Sequence, residues 1–401
     1  LVVEMQSLLE KADRVMMKNV SRFPVVFSRG EGAYLYDTDG KRYLDFLSGI
    51  AVHALGHSHP RIAKALVEQA EKIVHVSNYF YLEEQILLAE KLAALSGLER
   101  VFFSNSGAEA NEAALKLARK YGREKLGGKY EIISAEKSFH GRTFGALAAT
   151  GQPKYQEAFQ PLPAGFKYAK FNDLSSWEAA VTPQTCAFLL ELVQGEGGVN
   201  PATPEFVQGL AALSRRHGIL LIFDEIQTGL GRTGKSFAWQ HFGIKPQIMT
   251  LAKALGSGVP LGAMLATEEV AAAFTPGDHS TTIGGGGLAY TVALEVLKVM
   301  EEEKLPERTA QLGQELLKTF HAWQKELPII KEVRGLGLLL ALELTIPSRP
   351  IAEQCLERGL IVNAVTPTAI RLAPPLNIGE AELEPGLDLL YTVLKDQVVP
   401  S

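Results

Sequence analysis

A chain of 401 residues, 46% apolar and 21% charged, has the composition of a folded protein large enough for two domains, and intrinsic disorder is excluded. Its 45 acidic and 40 basic residues leave a net charge of −5 with no blocks of like charge, so there is no electrostatic case for a nucleic-acid or membrane partner. The two cysteines, Cys186 and Cys355, lie far apart and outside any C-x-x-C, which argues against a disulfide framework or a thiolate metal site. No apolar run reaches membrane-spanning length, and Glu4, Glu10, Lys11 and Asp13 interrupt the apolar N-terminus, so a cytoplasmic location is expected.

In chain order, residues 6–19 read as a short amphipathic helix. GAYLYDTDGKRYLDF (32–46) alternates around Asp39-Gly40 and predicts a β-hairpin. Residues 62–73 and 83–95 carry helical periodicity. VFFS (101–104), EIIS (131–134), AFLLEL (187–192) and ILLIF (219–223) are short, continuously apolar strands. Such strands between amphipathic helices predict an α/β fold, with a mostly parallel sheet covered on both faces. A long helix is expected near 288–302, and RGLGLLLALEL (334–344), LIVNAV (360–365) and AIRLAP (369–374) each read as one strand of a second α/β element. The expected division is a large domain over 56–304 and a smaller one built from 1–55 and 305–401.

The chemistry-bearing residues sit at the ends of these strands. LLIFDEIQTG (220–229) is a buried strand ending in Asp224 and Glu225, and TLAKALGSG (250–258) places Lys253 alone among Leu251, Ala252, Ala254, Leu255 and Gly256. A lysine in so poorly solvated a setting has a lowered pKa and suits covalent attachment of a carbonyl cofactor. A carboxylate held against a pyridine nitrogen keeps that ring electron-withdrawing, so the pair fits pyridoxal phosphate. The Asp-Glu pair also suits a magnesium-binding strand, but the phosphate loop which that reading wants, G-x-x-x-x-G-K-S/T, does not occur. Ser106, Gly107 and Ala108 follow the strand VFFS and open a helix, an arrangement that binds anions or is a plain cap. Phe139 and His140 each offer a ring to a flat cofactor, and Arg142 a fork for a carboxylate. Glu196 stands on the glycine-rich turn VQGEGG (193–198). Arg371, in an apolar strand, requires an anionic partner. His57 and His59 lack a nearby third ligand, so no metal site is expected.

GHSHP (56–60), SNSGAEAN (104–111), FHGRT (139–143), QGEGG (194–198), DEIQTGLGRTG (224–234) and LAKALGSGVPLGA (251–263) together resemble the class III (ω-amino acid) aminotransferases of PLP fold type I, from Leu35 to Leu376. The resemblance implies that Lys253 carries pyridoxal 5'-phosphate, Asp224 faces its ring nitrogen and Gln227 its ring hydroxyl. It further implies that Phe139 stacks on the ring and that Ser106, Gly107 and Ala108 hold the phosphate. Thr282 would reach the phosphate of a neighbouring subunit in a homodimer, and Thr281 would lie with Arg142, Glu196 and Arg371 at the substrate. Beyond Thr282 the family reads Phe-Gly-Gly-Asn-Pro, whereas this chain has Ile283 followed by Gly284, Gly285, Gly286 and Gly287.

The implied reaction moves the terminal amine of N2-acetylornithine to 2-oxoglutarate, a step of arginine biosynthesis. Arg142 would bind the carboxylate remote from the reacting amine. Arg371 would take glutamate's near carboxylate and pair with Glu196 when none is present. Relatives that use free ornithine carry a tyrosine where this chain has Ile50, which leans towards an N-acylated substrate. Ornithine, succinylornithine, succinyl-diaminopimelate and a carrier-bound aminoadipate-type amine are the alternatives. A decarboxylase, an aminomutase or an idle PLP-binding protein of the same fold would share Lys253 and Asp224.

Overall fold

The computed structural model describes residues 5–398. Residues 1–4, among them Glu4, and 399–401 lie outside the described residues. A seven-stranded sheet organises the chain, in the spatial order Arg100–Ser104, Gly262–Ala266, Ile248–Leu251, Leu220–Asp224, Thr185–Leu190, Glu131–Ala135, Phe166–Ala169. Only Gly262–Ala266 runs antiparallel to its neighbours, so the sheet is mostly parallel as expected.

Alternation along the strands explains the two covered faces. Ala187, Leu189, Leu220 and Ile222 pack with Ala113, Ala114, Leu117 and Ala118 of the helix Gly107–Lys125. Their neighbours Phe188, Leu190, Leu221 and Phe223 point the other way and pack with Phe206, Val207 and Leu210 of Pro204–His217. Every residue of Thr185–Leu190 and Leu220–Asp224 is buried, which is why these strands read as continuous apolar runs.

The hairpin over 32–46 is present as Tyr34–Asp37 and Arg42–Asp45, and Phe27–Glu31 adds a third strand. Leu360–Ile361 pairs in parallel with Arg42–Asp45, so the two chain ends share one sheet. Three expectations need correction. The first helix stops at Val15 rather than reaching 19. The run 334–344 belongs to two antiparallel strands, Ile330–Leu336 and Leu339–Leu344, because Gly337 at φ +59° reverses the chain. The run 360–365 is also two strands, since Leu360–Ile361 and Asn363–Ala364 join different sheets.

The helix expected at 288–302 spans Gly286–Glu302 and is entered through Gly284, Gly285 and Gly286, all at positive φ. Hydrogen bonds hold this turn, in which the family resemblance led us to expect Asn-Pro. Gly285 N–H donates to Asn105 Oδ1 (3.1 Å), Tyr290 Oη–H to the Gly284 carbonyl (2.6 Å) and Gly287 N–H to the Val74 carbonyl (3.0 Å). Proline at 287 would remove that last donor, and a Cβ there would lie 2.9 Å from the Ile73 carbonyl oxygen. Gly287→Pro is therefore expected to destabilise the protein by about 1–3 kcal/mol. Chemical or thermal unfolding checks this, and a variant as stable as its parent would refute it.

Candidate active site

The loops that follow Ser104, Ala135, Leu190, Asp224 and Leu251 converge at one edge of the sheet, the carboxyl ends of its parallel strands. They enclose a cavity of about 410 Å³ lined by Ser106, Gly107, Ala108, Phe139, His140, Arg142, Glu191, Glu196, Asp224, Gln227 and Lys253, with Val52, Val259, Pro260 and Leu261 as apolar wall. Ten of the residues singled out from sequence are thus brought together. Arg371 stands directly behind them. Thr281 and Thr282 are not among the lining residues: Thr282 is exposed, and the Thr281 hydroxyl accepts a hydrogen bond from Asn105 Nδ2 (3.2 Å).

Lys253 opens the short turn that follows Ile248–Leu251 and holds φ at +42°, a strained value for a residue with a side chain. Its ammonium has no hydrogen bond or ion pair among the described residues. Burial lowers its pKa to about 8; Glu196 opposes that fall and Arg371 assists it.

Asp224 is held from three sides. Asn111 Nδ2 (2.8 Å) and His140 Nδ1 (2.7 Å) meet its Oδ2, and Ile226 N–H donates to its Oδ1 (3.0 Å). Asn111 also donates to the His140 carbonyl (2.7 Å) and accepts from the Thr250 hydroxyl (2.8 Å), so four elements fix this carboxylate. Sequence reading passed over Asn111. The available signal was a lone amide on the apolar stripe of its helix, beside Ala110, Ala113 and Ala114. Glu225, next to Asp224, serves the fold instead. It accepts hydrogen bonds from Thr228 Oγ1 and from the Ala238 and Trp239 N–H groups, and burial raises its pKa to about 7.

At the opposite wall Ser106 caps the helix Gly107–Lys125, its hydroxyl accepting from Glu109 N–H (3.2 Å). The N–H groups of Gly107 and Ala108 have no acceptor among the described residues, and both residues line the cavity. Two free donors at the start of a 19-residue helix suit a phosphate dianion. Gly141, at φ +134°, brings the Phe139–Arg142 loop against this helix, since a Cβ there would lie 2.7 Å from Ala108 Cβ.

Glu191 was also missed by sequence reading. Its carboxyl accepts from Phe139 N–H (3.0 Å) and Gly195 N–H (3.1 Å), tying two cavity loops together. Burial raises its pKa to about 7, with Asp224 adding to the rise and His140 opposing it. Arg371 is 1% exposed and donates to Glu196 Oε1 (2.6 Å), Gln227 Oε1 (3.2 Å) and Asn363 Oδ1 (2.9 Å). Burial opposes ionisation of Glu196, but Arg371 and Lys253 outweigh it and leave the carboxyl below its ordinary range. Free amine, fixed carboxylate, stacking wall and helix N-terminus match the parts of pyridoxal phosphate.

Comparison with known proteins agrees with this chemistry. Residues 15–394 match the family model described as aminotransferase class-III. The acetylornithine aminotransferase of Caldanaerobacter subterraneus subsp. tengcongensis is 45% identical over 385 residues, covering 96% of this chain and 98% of its own. The succinylornithine transaminase of Salmonella paratyphi A is 45% identical over 384 residues, covering 94% of each chain. Among solved structures, the ornithine aminotransferase from Toxoplasma gondii, crystallised with oxidized glutathione and with partial occupancy of PLP at its active site, superposes with a TM-score of 0.95 at 33% identity, covering 98% of this chain and 94% of that one.

Proposed function

The chain belongs to the class-III aminotransferases, PLP-dependent transaminases of fold type I, and we propose that its amine donor is N2-acetyl-L-ornithine and its acceptor 2-oxoglutarate. The products are N-acetylglutamate 5-semialdehyde and L-glutamate, within arginine biosynthesis and in the cytoplasm. The observation that carries this reading is the Arg371–Glu196 pair beside an Arg142 that has no anionic partner among the described residues. One guanidinium is permanently open to a carboxylate, and the other is masked until a carboxylate displaces its glutamate. An enzyme that alternates between an ω-amine and an α-amino acid needs such a pair. The 45% identity to a succinylornithine transaminase makes N-succinylornithine the second reading.

When bound, pyridoxal phosphate supplies an aldehyde for amine exchange and a ring that withdraws electrons from the reacting carbon. Lys253 would hold it, with the Gly107 and Ala108 N–H groups and Ser106 at its phosphate, Phe139 on its face and Gln227 at its hydroxyl. Lys253 Nζ, whose pKa burial lowers, would take a proton from the substrate carbon and return it two atoms along, past the amine nitrogen. Asp224, immobilised by Asn111 and His140, would keep the ring nitrogen protonated. Val259, Pro260 and Leu261 supply apolar wall that limits water in the cavity.

Thr281 completes the substrate pocket and Thr282 the neighbouring copy's phosphate site in a homodimer. Exposed Val74, Tyr79 (92%), Phe80, Tyr81 (85%) and Ile283 support that assembly: Phe80 and Ile283 line one crevice, and large apolar side chains left in solvent favour a cover. No described helix is long and apolar enough to cross a membrane. We further propose a large domain over 56–304 and a small one from 1–55 and 305–401.

The test follows the cofactor's visible absorption. N-acetylornithine without a keto acid is expected to bleach the band, and 2-oxoglutarate to restore it. In Glu196→Gln, bleaching by N-acetylornithine slows by about tenfold or more, because Arg371 is left buried without its anion, while bleaching by glutamate slows less. Equal slowing in both halves would remove the switch. A band moved only by N-succinylornithine or ornithine would transfer the assignment to that amine. Carbon dioxide release, or turnover without 2-oxoglutarate, would indicate a decarboxylase or aminomutase.

A further inference from the structure

Arg142 is exposed, yet no carboxylate holds it among the described residues. Its guanidinium carbon lies 4.0 Å from the centroid of the Tyr155 ring and 5.5 Å from that of Phe139. The two rings stand 6.1 Å apart and inclined at 82°, so the cation sits in the angle between them. We infer that Tyr155 is a positioning residue, holding Arg142 in the pose that receives the substrate carboxylate, and so sets the affinity for carboxylate-bearing substrates. This rests on the reading of Arg142 given above.

The reason lies in what an aromatic ring leaves unused. A glutamate partner would fix Arg142 firmly but would occupy its donors and compete with the substrate, as Glu196 does at Arg371. A ring attracts the cation through its face and leaves all five N–H donors free for a bidentate carboxylate. Phe139 is assigned to the cofactor, which leaves Tyr155 as the dedicated support.

The placement of Tyr155 is correspondingly rigid. It rides on the one-turn helix Pro153–Gln156, between two buried glutamines. Gln152 Nε2 donates to the carbonyls of Lys137 (3.2 Å) and Ser138 (2.9 Å), the two residues before Phe139. Gln156 Nε2 donates to the carbonyls of Leu147 (3.0 Å) and Thr150 (2.7 Å) and to Tyr168 Oη (2.8 Å). The ring is thus tied to the segment that carries Phe139 and Arg142. Lys154 Nζ lies 4.7 Å from the same ring and is exposed.

The test compares holoenzymes with Tyr155→Leu, Tyr155→Phe, Arg142→Gln and the Tyr155→Leu/Arg142→Gln pair. KM and kcat are measured with N-acetylornithine, and the dissociation constant with glutarate, a dicarboxylate that carries no amine to react. Tyr155→Leu is expected to raise KM and weaken glutarate about three- to tenfold with kcat within about twofold, because an unsupported arginine must be ordered on binding. Tyr155→Phe, which keeps the ring, returns both to near the parent, and Tyr155→Leu adds nothing in the Arg142→Gln background. The inference is overturned if Tyr155→Leu leaves KM and glutarate binding unchanged while Arg142→Gln weakens both. It is also overturned if Tyr155→Leu acts equally with and without Arg142. Parental affinity in Arg142→Gln would instead sink the carboxylate role of Arg142, and this inference with it. Should Tyr155→Leu not fold, Tyr155→Met keeps the volume without the ring and serves in its place.

Discussion

Lys253→Ala is expected to lower kcat by roughly 10⁴-fold or more and to abolish covalent capture of pyridoxal phosphate, because one amine serves as both attachment point and proton carrier. No other lysine among the described residues lines the cavity. The backbone strain at Lys253 fixes where that amine points, so a lysine elsewhere does not substitute. Arginine at 253 keeps the charge but does not release its proton, and it gives the same loss. Borohydride reduction followed by mass spectrometry checks the attachment: the parent gains the cofactor's mass on the peptide containing Lys253 and the variants gain none. Labelling of another lysine, or more than a few per cent residual turnover, would overturn the assignment.

The pH dependence has a defined sign. Burial moves the amine from its ordinary 10.5 to about 8. Only the neutral amine attacks an aldehyde, so the rate at which cofactor-free protein captures pyridoxal phosphate should rise up to about pH 8 and then level off. A solvent-exposed lysine would keep accelerating beyond pH 10. Linkage agrees: between about 8 and 10.5 the unfolded chain binds the proton and the folded one does not. This group therefore adds stability to the cofactor-free protein as pH rises through that window.

Asp224→Asn is expected to lower kcat by about 10²- to 10³-fold with the cofactor still attached, since the amide matches the shape of the carboxylate but not its charge. Both carboxylate oxygens accept hydrogen bonds, so the amide nitrogen must also face a donor, either Ile226 N–H or the Asn111 and His140 pair. A loss of about 1–3 kcal/mol in stability should accompany the loss of rate. Asn111→Ala removes one hydrogen bond to Asp224 and leaves the charge, so it should slow turnover by only about tenfold. That ranking separates the charge from its support. An Asp224→Asn enzyme that retained a tenth of parental activity would remove the ring-nitrogen role.

How much of this was legible beforehand depends on how local each feature is. The strand ending in Asp224, the turn at Ser106–Ala108 and the isolation of Lys253 lie within ten-residue windows, and the burial of each strand is carried by its own apolar residues. Gly262–Ala266, made of small residues and others not branched at Cβ, carries no strand signal of its own. It is a strand because Arg100–Ser104 and Ile248–Leu251 flank it. The reversal at Gly337 was hidden inside an apolar run, because close approach to the backbone of Thr233, more than a hundred residues away, is what demands glycine there.

The candidate site divides in the same way. The residue types that carry the chemistry, their order and the need of Arg371 for an anion followed from the sequence, because a lone buried cation or amine announces its need wherever it stands, while the choice of Glu196 as that anion came with the family resemblance. Tertiary structure alone decided which groups support them: Asn111 and His140 on Asp224, Glu191 between the Phe139 and Gly195 loops, and Tyr155 under Arg142. An ordinary asparagine, glutamate or tyrosine shows no unmet need in sequence. Its role comes from distances of a few ångströms between residues far apart along the chain, and only the folded backbone sets those distances.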